Sequence, residues 1–77
     1  MLTEFQGHRY STIRVSDLKR DGMGLELQRD GRAVAEVFFA DPSGVFTISL
    51  FEEGLPLLII EQLISEARAT LVPVPKG

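Results

Sequence analysis

The chain has 77 residues, of which 44% are hydrophobic and 25% are charged, and its formal net charge is −3. This length allows one domain and excludes a catalytic domain with a separate substrate domain. A domain of this size buries only about 60% of the surface that its unfolded chain exposes, so its core needs additional support. The sequence has no cysteine and a single histidine, so we expect neither disulfides nor a metal site, and self-association is the support that remains.

Localisation is predicted from the apolar runs and the cysteine count. The longest apolar run, residues 55–60, is interrupted by Pro56 and is much shorter than the roughly 20 residues of a membrane helix. The N-terminus lacks the basic-then-apolar order of a signal peptide, and the absence of cysteine fits a reducing compartment. We therefore expect a cytoplasmic protein without a membrane partner.

Three segments are expected along the chain: an N-terminal arm over residues 1–8, a single α+β domain over residues 9–71, and an extended tail containing two prolines over residues 72–77. Alternating side chains over residues 9–16 predict the first strand, with Ile13 and Val15 on one side and Tyr10, Thr12 and Arg14 on the other. A polar turn follows. Residues 23–28 then form the second strand, with Met23, Leu25 and Leu27 on one face.

The turn after the second strand decides the register of the third. A two-residue turn at Asp30 and Gly31 would place Leu25 opposite Glu36, and so bring a charge onto the apolar face. A three-residue loop, residues 29–31, places only apolar residues opposite one another: Leu27 with Ala33, Leu25 with Ala35, and Met23 with Val37. The sequence therefore favours the three-residue loop.

The second hairpin has a clear turn signal. The segment Asp41-Pro42-Ser43-Gly44 carries the residues that a type I turn prefers. A four-residue loop places Phe39 opposite Phe46, Val37 opposite Ile48, and Ala35 opposite Leu50. Both hairpins then put their apolar residues on one face, as a specified fold requires.

A C-terminal helix completes the predicted fold. Leu55 and Pro56 are typical of a helix start, and the helix is expected to end at Thr70. At about 100° per residue, one arc holds Leu57, Ile60, Leu63, Ile64, Ala67 and Leu71, with Ile59 at its margin. We expect a two-layer α+β domain in which a four-stranded antiparallel meander is followed by one C-terminal helix packed on one sheet face.

Several apolar residues remain when this core is full. They lie on the sheet face that the helix does not cover or near the helix start, and they are Val34, Phe38, Val45, Phe51, Leu55 and Leu58. Single exposed apolar residues are normal, but a contiguous set is typical of an interface. The sequence therefore predicts a small non-catalytic interaction module that forms a homodimer or another homo-oligomer, or binds a protein partner, through these residues.

The alternative is a protein that binds single-stranded nucleic acid. Its candidate residues are an aromatic ring and the cations around the first hairpin: Tyr10, Arg14, Lys19, Arg20, Arg29 and Arg32. A sheet followed by one helix is similar in topology to single-stranded DNA-binding transcription coactivators, although topology alone does not imply function. Acidic residues interrupt the cations, and the acidic chain as a whole disfavours approach to phosphate.

Catalysis is not predicted. His8 has no second histidine or cysteine with which to share a metal, and no nucleophile is placed beside it by the sequence. Gly22 and Gly24 lie between two strands rather than before a helix, so they do not indicate a phosphate loop. Glu52 and Glu53 are better explained by the positive end of the helix dipole than by acid-base chemistry. We expect no enzyme activity, no catalytic residues, no cofactor and no bound metal.

Overall fold

The computed structural model describes residues 1–71, which form an antiparallel sheet and one helix. The α+β class and the antiparallel sheet are as predicted, whereas the predicted tail over residues 72–77 lies outside the described residues. The strands follow one another in the sheet in chain order. The elements are β1 (Leu2–Phe5), β2 (His8–Asp17), β3 (Gly22–Arg29), β4 (Arg32–Ala40), β5 (Val45–Leu50) and α1 (Leu57–Thr70).

The sheet has five strands, so the prediction of four is wrong by one. The additional strand, β1, lies within the residues that were expected to form an arm, and it pairs with β2. Gln6 and Gly7 connect the two strands with φ of 51° and 79°. Two successive residues at positive φ are typical of a type I′ hairpin turn, but glutamine is not among the residues that signal one. Met1 and Phe5 pack against the hydrophobic core, which ties this short strand to the rest of the domain.

The first hairpin differs from the predicted register. Asp30 and Gly31 have φ of 51° and 83°, so they form a two-residue turn, and the predicted three-residue loop over residues 29–31 is wrong. The register shifts between Leu27 and Gln28: Gln28 pairs with Ala33, whereas Leu27 pairs with Ala35. Val34 is the extra residue of this β-bulge. The bulge restores the apolar face: Leu25 lies opposite Val37 and Met23 lies opposite Phe39, two residues further along β4 than predicted.

The second hairpin has the predicted register. Phe39 pairs with Phe46, Val37 with Ile48, and Ala35 with Leu50. Within the four-residue loop, Gly44 has φ of 69° and its N–H donates to the carbonyl oxygen of Ala40 at 2.8 Å. Proline fixes one backbone angle of this loop and glycine permits another, so the local sequence determines the turn.

The helix begins after Pro56, which occupies the N-cap position without a side-chain cap. It is rotated relative to the predicted arc, because Ile59 is fully buried and Leu57 is 72% exposed. The rotation has a visible cause on the β1–β2 side, where Glu66 accepts hydrogen bonds from the Thr12 hydroxyl, at 2.6 Å, and from the Met1 ammonium group. The helix has 14 residues, and residues 1–71 contain no helix with the length and apolar character to span a membrane.

Candidate protein-interaction surface

The helix leaves one edge of its own sheet face uncovered. It packs on β3 and β4, and β5 is the last strand of the sheet. Because side chains alternate along a strand, Phe46, Ile48 and Leu50 of β5 all lie on the helix side. Ile48 is 45% exposed and Leu50 is 58% exposed. Residues that were expected to complete the core are therefore accessible to a partner.

The flank of the helix that faces β5 is also apolar. One groove is lined by Phe46 and Ile48 of β5 and by Ile64 of α1. A second depression, further along β5 and α1, is lined by Leu50, Leu57 and Ile60. We call these six residues, which follow β5 and the neighbouring flank of the helix, the β5–α1 surface.

One cationic group and one aromatic ring border this surface. The Arg68 guanidinium lies 5.6 Å from the centre of the Phe46 ring, a distance typical of a cation–π contact. At the other end of β5, Phe51 is 55% exposed and lies beside the second depression. The β5–α1 surface is thus bounded by a positive charge at one end and by an aromatic ring at the other.

The six residues predicted to form an interface divide into three groups. Val45, Phe51 and Leu58 are exposed, as that prediction requires. Leu55 is partly buried against the core. Val34 and Phe38 are buried by other residues of the same chain, so they are not accessible to a partner as the prediction requires. Val34 is buried because it is the bulge residue, and its own strand turns it into the core cluster.

Phe38 lies on the predicted face, the one opposite the helix, but two features of its surroundings bury it. Its ring lies against Gly22, which has no side chain to hold the ring away from the sheet, and a Cβ atom there would lie 2.8 Å from Cζ of Phe38. The Arg20 guanidinium covers the ring, 4.0 Å from its centre. This face is therefore closed around Phe38 by the chain's own residues.

Arg20 is held over Phe38 by two carboxylates. Its Nη1 and Nη2 atoms donate to Glu36 at 2.9 and 3.1 Å, and its Nε donates to Asp17 at 2.5 Å. The hydrogen bonds that Arg20 donates to Glu36 first, and then to Asp17, raise the pKa of Arg20. Arg20 in turn lowers the pKa of the Asp17 carboxyl group. A guanidinium fixed in this way has few free donors for a phosphate.

The other residues of the predicted nucleic-acid site are dispersed. Tyr10 is buried in the core, because its face of β2 is the helix side and not the open side, as its pairing with Arg29 shows. Arg29 and Arg32 both bind the carboxylate of Glu52. Tyr10 and Glu52 raise the pKa of Arg29. Of the six predicted residues, only Arg14 and Lys19 remain exposed without such a partner among residues 1–71, and they do not form a stripe.

The role expected for Glu52 therefore changes. The first turn of α1 contains no acidic residue, and the carboxylate of Glu52 is directed to the two arginines instead of the helix start. Glu53 is exposed. The sequence could not indicate this contact, because Arg29 and Arg32 are brought near the end of β5 only by the two hairpins.

His8 takes part in a structural contact between two turns. Its Nδ1 atom lies 2.6 Å from an Asp30 carboxylate oxygen, and the other oxygen of Asp30 accepts the backbone N–H of Arg9 at 2.9 Å. The backbone N–H of Arg9, and then His8, lower the pKa of Asp30. Among residues 1–71, no group of three or more histidine, cysteine or acidic side chains is placed to hold a metal ion.

No family model, no curated protein and no solved structure matches the chain.

Proposed function

We propose that this two-layer α+β protein is a small non-catalytic interaction module that self-associates through the β5–α1 surface. The observation that carries the proposal is the exposure of Ile48 and Leu50 on the helix side of β5, together with that of Leu57 in the depression that Leu50 also lines. Scattered exposed apolar residues are common, but a continuous apolar patch on a small soluble domain is typical of a binding surface.

The magnitudes favour a second copy over a solvated surface. Full burial of a leucine, isoleucine or phenylalanine side chain contributes about 1.5–3 kcal/mol. Ile48, Leu50, Phe51 and Leu57 are each about half or more exposed, so covering one of them recovers on the order of 1 kcal/mol. Association costs about 4–15 kcal/mol. The gain becomes comparable with this cost when both partners contribute the same patch, as they do in a symmetric dimer.

The single-stranded nucleic-acid hypothesis has less support. It requires an aromatic ring and several free cations on one open face. Tyr10 is in the core, and the guanidinium groups of Arg20, Arg29 and Arg32 are bound to carboxylates of the same chain. Self-association is therefore the better supported of the two functions.

The test is the mass of the protein in solution. We expect the unmodified chain to sediment as a dimer at micromolar concentration, and Leu50→Glu to sediment as a monomer with an unchanged circular dichroism spectrum. Leu18→Glu is the matched control, because Leu18 is 94% exposed in the turn between β2 and β3 and is not part of the proposed surface. It should remain dimeric.

Two results would contradict the proposal. One is a monomeric mass for the unmodified chain up to millimolar concentration. The other is a Leu50→Glu variant that keeps the same mass as the Leu18→Glu control. If the chain is monomeric and binds a different protein through the same residues, the surface is a binding site for that protein and self-association is refuted.

A further inference from the structure

We infer that the second copy binds along the free edge of β5, so that two antiparallel β5 strands join the two sheets into one, with a two-fold axis passing at Ile48. This inference rests on the proposed self-association and specifies its geometry. Three independent features of the described residues support it: the direction of the backbone groups at the edge, the lack of protection of that edge, and the charges at its two ends.

The first feature is the alternation of hydrogen bonds along β5. The N–H of Phe51 donates to the carbonyl oxygen of Val34 on β4 at 2.9 Å. In an antiparallel pair, residues that bond to the neighbouring strand alternate with residues whose backbone groups point away. Residues 45, 47 and 49 therefore point their N–H and C=O groups toward β4. Phe46, Ile48 and Leu50 alternate with them and present these backbone groups at the free edge.

The same three residues carry their side chains on the helix side. Residues that lie directly opposite each other in an antiparallel pair share a face. Pairing Ile48 with its own counterpart, and Phe46 with the counterpart of Leu50, therefore satisfies the backbone groups and matches apolar side chains at once. A slip of one residue would put Thr47 opposite Ile48 and would send the two helices to opposite faces.

The second feature is that β5 lacks the usual protection of an edge strand. Natural edges are made short, charged, bulged or proline-containing, which prevents them from pairing with another chain. The opposite edge, β1, has only four residues and carries Glu4, whose carboxylate lies 3.6 Å from Arg9. By contrast, β5 has six residues, VFTISL, without a charge, a proline or a register shift.

The third feature is charge complementarity. Arg68 lies over Phe46 at one end of β5, and it makes no ion pair with any residue in the range 1–71. Glu53 follows β5 at its other end, where it is exposed. In the inferred register Phe46 faces Leu50 of the partner subunit, so Arg68 lies toward the end of the partner's β5 that Glu53 follows, and the two-fold axis repeats this arrangement of opposite charges.

A scan of single cysteines reads the position of the axis directly, because the chain has no cysteine of its own. One cysteine is introduced at a time at positions 45–50, and the rate of disulfide-linked dimer formation is measured under mild oxidation. We expect Ile48→Cys to react fastest, since opposite residues in a hydrogen-bonded pair lie about 5.5 Å apart between Cα atoms, within the range of a disulfide.

The neighbouring positions are matched controls. Under the inferred register, two copies of Thr47→Cys lie offset by two residues, with Cα atoms about 8 Å apart, which is beyond disulfide reach. The same holds for Ser49→Cys. Leu18→Cys gives the background rate of random collision, because this side chain is 94% exposed. We expect at least a tenfold faster reaction at position 48 than at 47, 49 or 18.

The outcomes separate this inference from the proposal on which it rests. A dimeric mass with the fastest reaction at position 47 or 49 overturns the axis at Ile48. A dimeric mass with only background reaction along β5 overturns edge pairing while self-association stands. A monomeric mass for the unmodified chain refutes both. A rate maximum at position 48 together with a dimeric mass supports the inferred assembly.

Discussion

Replacing Gly22 with alanine tests how closely β4 approaches the start of β3, which determines whether Phe38 lies flat on the sheet. A Cβ atom at Gly22 would overlap the backbone oxygen of Phe39 and would lie 2.8 Å from Cζ of Phe38. Gly22 does not have a positive φ, so the requirement for glycine here is one of space. The overlapping oxygen belongs to the backbone and cannot move without displacing β4.

The expected loss of stability follows from these contacts. Overpacking a well-packed site costs about 1–3 kcal/mol, and alanine recovers about 0.4–1 kcal/mol by restricting the unfolded chain. A net loss of about 1–2 kcal/mol is large for a 77-residue domain, whose total stability is on the order of 4–12 kcal/mol. At roughly 4–8 °C per kcal/mol for a domain of this size, we expect Tm to fall by about 5–15 °C.

Gly24→Ala is the matched control on the same strand. Its Cβ would lie 2.7 Å from Oε2 of Glu36, which is the end of a flexible side chain. Moving that carboxylate weakens its pair with Arg20, in which the Arg20 side chain is 46% exposed and the Glu36 side chain is 12% exposed, and solvent screening of the guanidinium keeps the contribution of such a pair small. The gain in the unfolded state is of similar size, so we expect a change of Tm within a few degrees.

Thermal unfolding followed by circular dichroism, at one protein concentration for all variants, measures both effects. Equal concentration matters because self-association makes Tm depend on concentration. A Gly22→Ala variant that unfolds at the temperature of the unmodified chain, or a Gly24→Ala variant that is the more destabilised of the two, would contradict this prediction.

Three further predictions concern the helix, the acidic limb of stability and nucleic acid. Ile59→Ala should lower the free energy of unfolding in urea by about 2–5 kcal/mol. Leu57→Ala should lower it by about 1 kcal/mol or less, because Leu57 is 72% exposed in the single chain and is covered only in the proposed dimer; the reverse order would support the helix rotation predicted from the sequence. The pKa values of Asp30 and Glu66 are lowered in the folded chain, that of Glu66 because its hydrogen bonds outweigh the opposing effect of burial. The stability that these two carboxylates contribute is therefore present at neutral pH and is lost below about pH 4. Urea midpoints that stay constant down to pH 3 would contradict this. Fluorescence titration at low salt should detect no binding to single-stranded DNA or RNA oligonucleotides, because Arg29 and Arg32 beside the β3–β4 turn are bound to Glu52. Binding that weakens with salt would support the nucleic-acid hypothesis instead.

The side on which most residues of β3, β4 and β5 lie was predictable because it depends on the period of the strand, whereas Tyr10 of β2 and Val34 of β4 are in the core and not on the open face. Leu25, Val37 and Phe39 are all buried with the helix, as the alternation indicated. The register of the first hairpin was not predictable in the same way, because it depends on a bulge at Val34. A bulge adds one residue to one strand, and the apolar pattern alone does not distinguish it from a longer loop.

The missed strand and the missed surface have one physical cause. An α-helix with its side chains is about 10 Å across, and strands are spaced about 4.8 Å apart, so one helix covers about two strands and its position decides which edge stays uncovered. With four strands, centring the helix on the sheet would shield both Ile48 and Leu50. The fifth strand brings Met1 beside Thr12, and both groups hold Glu66 on the β1–β2 side. The helix is thereby kept away from β5, and two residues assigned to the core by their period become the exposed floor of the proposed interface.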